Sequence, residues 1–150
     1  MELHQFHGVN QRGTIERLFY STRDQEGANV SKYANVYLPF GYSDGQRYPV
    51  LYLIHGGGGS PDSWLDCAQI KNALDVSFAE GRSKPFITVF PGFYDHDPIR
   101  KDRVEEDVER GHVLHFQQEL RNDLIPAVDS RFSTDPPVNP GRSADSPWAE

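Results

Sequence analysis

The stretch PVLYLIHGGGG, Pro49 to Gly59, decides how the rest of the chain is read: an unbroken apolar run, Val50 to Ile54, passes directly into a histidine and four glycines. Apolar residues on both faces are what a central strand of a parallel sheet needs, because helices cover both of its sides. Glycine forfeits side-chain packing and costs backbone entropy. A run of it therefore marks a place where the backbone takes positive φ or comes very close to something. At the end of a buried strand such a loop can present backbone N–H groups to a developing oxyanion, and Gly56, Gly57 and Gly58 are the candidate donors. The alternatives are a flexible turn and a phosphate-binding loop. A phosphate loop wants GxxxxGK[ST] or GxGxxG opening straight into a helix, whereas Ser60-Pro61-Asp62 follows here.

Working outward, Thr14 to Thr22 and Tyr33 to Leu38 are rich in β-branched and aromatic residues, and the polar segment between them, with Gly27, reads as a hairpin connection. Ser60, Pro61 and Asp62 signal a helix start near Trp64. From Ala68 to Glu80, Ile70, Ala73, Leu74 and Phe78 recur at helical spacing, and Gly81 is placed to end the helix. Phe86 to Phe90 is a second continuous apolar run, so strand, helix and strand predict a parallel crossover. Asp95 to Gly111 is a charged interlude, long enough for a functional insertion. A second helix, His112 to Arg131, follows, with Phe116, Leu120, Leu124 and Val128 along one face and Pro126 expected to kink it or end its regular hydrogen bonding. Beyond Phe132 the text turns polar, proline-broken and aperiodic, which read literally is a disordered tail.

A net charge of −7 and a pI near 5.3 argue against nucleic acid or an anionic membrane as partner. Cys67 is the only cysteine, so no intrachain disulfide forms. The opening MELHQFHGVNQRG has no basic and then apolar region of the kind an export signal needs, and no stretch approaches the roughly 18 apolar residues of a membrane span.

The blocks ANVYLPFGY (Ala34 to Tyr42), YPVLYLIHGGGG (Tyr48 to Gly59), SKPFITVFP (Ser83 to Pro91) and ELRNDLIPAVDSRFS (Glu119 to Ser133), in that order and spacing, resemble the esterase family of α/β-hydrolases that includes feruloyl and acetylxylan esterases of carbohydrate esterase family one. The resemblance runs from about Gly13 to Ser133, after an N-terminal extension of residues 1–12. It implies a partial α/β-hydrolase fold, an N-terminal antiparallel hairpin followed by parallel strands with crossover helices. It also implies a serine nucleophile in G-x-S-x-G with a histidine base and an acid, no metal or organic cofactor, and an extracellular setting. The substrates it implies are feruloyl or acetyl esters of plant cell-wall polysaccharide.

The chain departs from that pattern where the nucleophile elbow is due, so nucleophile, acid and base are expected to be absent and the chain inactive. Ser143 stands in G-x-S-x-D, but Pro136, Pro137, Pro140 and Pro147 surround it where an elbow needs a strand before and a helix after. The tail 134–150 is therefore expected to be disordered or frame-shifted. Permitted codons for Gly141 to Glu150, read one frame over, spell Arg-Ala-Phe-Gly-Gly-Phe-Ser-Met-Gly-Gly, an elbow-like string, and Trp148 supplies the TG that the methionine codon demands. By the family's strand order, the run Val50 to Ile54 would then be left as an open sheet edge, exposing the chain to self-association. Trp64, Phe93 and Tyr94 lie in loops after strand ends and are candidates to stack on an aromatic acyl group or a sugar, with packing as the alternative. His112, His115 and Asp95-His96-Asp97 suggest metal ligands, but no further ligand is evident at helical or hairpin spacing, so no metal is expected. His55 reads as a scaffold for the glycine loop rather than a base, and Cys67 as a thiol nucleophile or, equally well, a packed helix-start residue. The rival to an esterase is a non-catalytic carbohydrate- or protein-binding module on the same fold.

Overall fold

The computed structural model describes residues 9–95 and 106–136. His96, Asp97, Ser143 and most of the tail lie outside the described residues.

β1 (Thr14–Arg23) and β2 (Asn29–Leu38) form the expected hairpin, in register from Thr14 opposite Leu38 to Arg23 opposite Asn29. The turn is tighter than the polar segment suggests. Asp24 Oδ1 accepts hydrogen bonds from the Glu26 and Ala28 N–H groups and lets β2 begin at Asn29. β3 (Val50–Tyr52) and β4 (Ile87–Phe90) pair in parallel, and β4 pairs with β2 antiparallel, so the sheet order is β1-β2-β4-β3. The crossover between β3 and β4 is carried by α1 (Ser63–Cys67) and α2 (Ile70–Ala79). The sequence suggests a helix start near Trp64 and helical spacing from Ala68 to Glu80, and Gln69 at φ +48 breaks the path and separates two helices.

Alternation along the strands divides the core in two. Leu18, Tyr20, Val36, Leu38, Ile87 and Val89 face a layer formed by α3 (Glu106–Glu119), a π turn (Leu120–Leu124) and α4 (Ile125–Arg131), through Phe116, Leu124, Val128 and Phe132. Tyr37 and Phe90 face the other way, onto Leu74, Phe78 and Trp64 of α1 and α2. Helices on both faces of a mixed sheet make this an α/β fold. Among the described residues no helix is long and apolar enough to cross a membrane.

Two expectations are corrected. The second helical segment starts earlier than His112, and its regular hydrogen bonding gives way just before Pro126, as that proline suggests: the Ile125 N–H reaches back five residues to Leu120 O and the widened turn accommodates a residue that has no N–H to give. The run Val50 to Ile54 is not a five-residue central strand. Only three residues pair as β3, at the sheet's outer side among the described residues, and Leu51 is 44% exposed. Such an apolar edge offers unpaired backbone groups to another chain. Sedimentation velocity should show concentration-dependent self-association that Leu51→Lys suppresses; a monomer at every concentration that binds no hydrophobic dye would contradict this.

Candidate active site

β3, parallel to β4, delivers two loops to one end of the sheet: residues 53–62 and residues 91–95. His55 joins them. It is buried, its Nδ1–H donates to the Gly56 carbonyl at 2.7 Å, and its Nε2 accepts from the Phe93 N–H at 3.4 Å. Because a carbonyl only accepts and an N–H only donates, those partners assign the neutral Nδ1–H tautomer. The ring stacks on Phe93 and on Tyr94, with centroids 4.3 and 5.6 Å away. Both ring nitrogens thus hold backbone, which is the arrangement of a scaffold residue.

The glycines divide by role. A Cβ on Gly59 would stand 2.8 Å from His55 Nδ1, 2.9 Å from Ser63 Oγ and 3.0 Å from the Gly56 carbonyl, so this position needs glycine for close approach. Gly58 needs it for conformation, at φ +71, and its N–H donates to the Tyr94 hydroxyl at 2.8 Å. Gly56 and Gly57 are exposed, and their N–H groups donate to nothing among the described residues. Of the three candidate oxyanion donors, one is committed to Tyr94 and two are without an acceptor among the described residues.

Beside this loop lies a cleft of about 240 Å³, lined by Lys32 and Tyr33 of β2, His55, Pro61, Tyr94 and Asp95 among others. The three aromatic candidates separate here. Tyr94 lines the cleft. Phe93 is buried beneath His55 in the main core, and the half-buried Trp64 packs against the second core cluster with its indole N–H on Ile54 O at 3.1 Å. Cys67 is exposed at the end of α1, so packing does not account for it.

Beneath the cleft is a polar network that sequence reading missed. Lys32 and Glu119 form a buried ion pair at 2.8 Å, their side chains 8% and 1% exposed. Lys32 also donates to the Gly92 carbonyl at 2.8 Å, and the Tyr20 hydroxyl donates to Glu119 Oε1 at 2.6 Å. The pair anchors the 91–95 loop, and through Tyr94 the glycine loop, to α3. Its members are 87 and 99 residues apart in the chain, beyond any local pattern. Burial first, and then the Glu119 carboxylate, push the Tyr20 phenol far above its ordinary range.

The family model described as "Putative esterase" matches residues 28–144. The chain is 33% identical over 125 residues to an endo-1,4-beta-xylanase Y of Acetivibrio thermocellus, covering 83% of this chain and 10% of that protein. It is 36% identical over 118 residues to an endo-1,4-beta-xylanase/feruloyl esterase of Xylanibacter ruminicola, covering 73% of this chain and 15% of that one. Among solved structures, a serine-to-alanine mutant of the feruloyl esterase module from Clostridium thermocellum, complexed with sinapinate, superposes with a TM-score of 0.64 at 29% identity, over 89% of this chain and 41% of that one. A ferulic acid esterase from Anaeromyces mucronatus, in complex with ferulic acid, shares the fold with a TM-score of 0.73 at 24% identity, over 90% and 50% of the two chains. The chain thus spans a small part of the curated relatives and at most half of these two structures. With the hairpin, the parallel crossover and the histidine-glycine loop in their order, the chain has a partial α/β-hydrolase fold and belongs to the "Putative esterase" family, of the feruloyl esterase type.

Proposed function

We propose that the chain carries the oxyanion-hole half of a serine carboxylic-ester hydrolase acting on feruloyl or acetyl esters of plant cell-wall polysaccharide, and that alone it turns over no ester. The observation carrying this reading is the glycine loop at the end of β3, fixed by His55 on the Gly56 carbonyl and by Tyr94 on the Gly58 N–H, in which Gly56 and Gly57 are exposed and their N–H groups donate to nothing among the described residues. In the reaction a serine attacks the ester carbonyl, and the loop amides, with the N–H of the residue after that serine, hold the oxyanion. Collapse of that intermediate breaks the ester C–O bond and expels the sugar alcohol, and water then attacks the acyl enzyme to release the acid and restore the serine. Relatives named as feruloyl esterases, one holding sinapinate and one ferulic acid, support an aromatic acyl group, and Tyr94 on the cleft wall is the residue to pack against it. His55 is occupied by backbone at both nitrogens and is not the base.

The chain should show no hydrolysis of a chromogenic acyl ester above background, because donors without a nucleophile bind a carbonyl but do not start acyl transfer. Turnover that disappears in Ser143→Ala would overturn this. If the gene read in the shifted frame also encodes the acid and the histidine beyond the elbow, that longer chain should hydrolyse feruloyl esters. Gly57→Pro, which removes one amide, should then lower kcat by about 10²–10³-fold. An unchanged kcat would remove Gly57 from the oxyanion hole.

A further inference from the structure

Asp95, at the end of the loop after β4, meets His115 and Glu119, which lie one turn apart on α3. One carboxylate oxygen from each acid and one ring nitrogen lie within 4.8 Å of one another. Ligands around a tetrahedral ion with bonds of about 2.1 Å stand about 3.4 Å apart, so closing around one requires shifts of about 1.4 Å at most. Glu119 is the ligand that the sequence did not suggest, although it stands four residues after His115 on the same helix.

Two independent features point to a cation. The Asp95 side chain is only 6% exposed, and its two oxygens are treated unequally. Oδ2 accepts from the Gln25 N–H at 3.2 Å and lies 3.7 Å from His112 Nδ1, whereas Oδ1 is buried with no hydrogen-bond partner among the described residues. A buried carboxylate oxygen left so is costly, and a metal ion is a partner that removes the cost. His115 Nε2–H donates to the Arg23 carbonyl at 2.7 Å. That bond fixes the tautomer and leaves Nδ1 with the lone pair a ligand needs, as second-shell carbonyls do for metal-bound imidazoles. Lys32 already sits on Glu119, so an ion would share that carboxylate; Asp95 supplies the charge Lys32 does not balance.

We infer that Asp95, His115 and Glu119 form a site for a divalent first-row metal, which clips the loop carrying Tyr94 to α3. One imidazole with two carboxylates favours an ion such as Zn²⁺ over Mg²⁺ or Ca²⁺, which take oxygen ligands. The site does not depend on ester hydrolysis.

Calorimetric titration of the whole chain with Zn²⁺ at neutral pH should give one-to-one binding, weakened about 10–100-fold in Asp95→Asn and in His115→Gln and unchanged in His112→Gln. Zn²⁺ should raise the thermal midpoint of the parent and not of the first two variants. No saturable binding below millimolar Zn²⁺, or binding undiminished in both variants, would overturn the site. Should a variant fail to fold without metal, the parent loaded with Co²⁺ decides. Intense visible bands of a four- or five-coordinate ion support the site, and the weak spectrum of the hydrated ion refutes it.

Discussion

Lys32→Met should destabilise the folded chain by about 3–5 kcal/mol, read from urea unfolding, because it leaves the Glu119 carboxylate buried without its counter-charge. Against a whole-domain stability of about 5–15 kcal/mol, that is enough to empty much of the folded state. The loss extends beyond the pair. The Gly92 carbonyl loses its Lys32 donor, and the 91–95 loop, whose Tyr94 receives the Gly58 N–H, loses its anchor to α3. Replacing the whole network with apolar groups of similar size, Lys32→Met with Glu119→Leu and Tyr20→Phe, should recover most of the stability, since no buried charge is then orphaned. A single-variant loss below about 1 kcal/mol, or a triple variant no more stable than Lys32→Met, would show that the pair is effectively solvated.

The contrast between that network and the strands explains what sequence reading reaches. β1, β2 and β4 are legible because their signals are local: Ile15, Val36 and Ile87 to Phe90 sit in runs whose burial follows from composition and alternation. The glycine loop is legible for the same reason, since His55 to Gly59 is a continuous string. β3 is over-read, because a continuous apolar run reports burial potential while its actual burial depends on a neighbouring strand. The π turn at Leu120–Leu124 is invisible in the four-residue spacing, and Pro126, the one signal present, points to a break. For Phe93 and Trp64, position after a strand end does not say which way a ring turns, so the cleft and packing both stay open in the sequence. Nothing in the local text around Ser31-Lys32-Tyr33 announces that Lys32 meets Glu119, and nothing near Asp95 announces His115. Those contacts exist only once β2, the β4 loop and α3 are folded together.

The second large effect is expected in alkali: the chain should lose about 3 kcal/mol of stability for each pH unit above about 10 through Tyr20 and Tyr37 together. Burial raises both phenols first of all, and then the carboxylates that accept their hydrogen bonds, Glu119 for Tyr20 and Asp75 for Tyr37. The sign follows from proton binding. A phenol whose folded pKa lies above its unfolded value costs nothing below pH 10; above it the unfolded chain releases a proton that the folded chain keeps, and unfolding gains. Tyr52 adds to the effect by a different route, raised by burial and then by Asp129, with its hydroxyl buried and without a hydrogen-bond partner among the described residues. Tyr52→Phe therefore removes a titrating group and an unsatisfied polar atom at once. It should move the alkaline midpoint upward without a penalty at neutral pH. Tyrosinate absorbance followed beside circular dichroism checks both statements: the buried phenols should ionise only as ellipticity is lost. Ionisation of all tyrosines near pH 10 in a chain that stays folded would sink the argument, as would a Tyr52→Phe midpoint equal to or below the parent's.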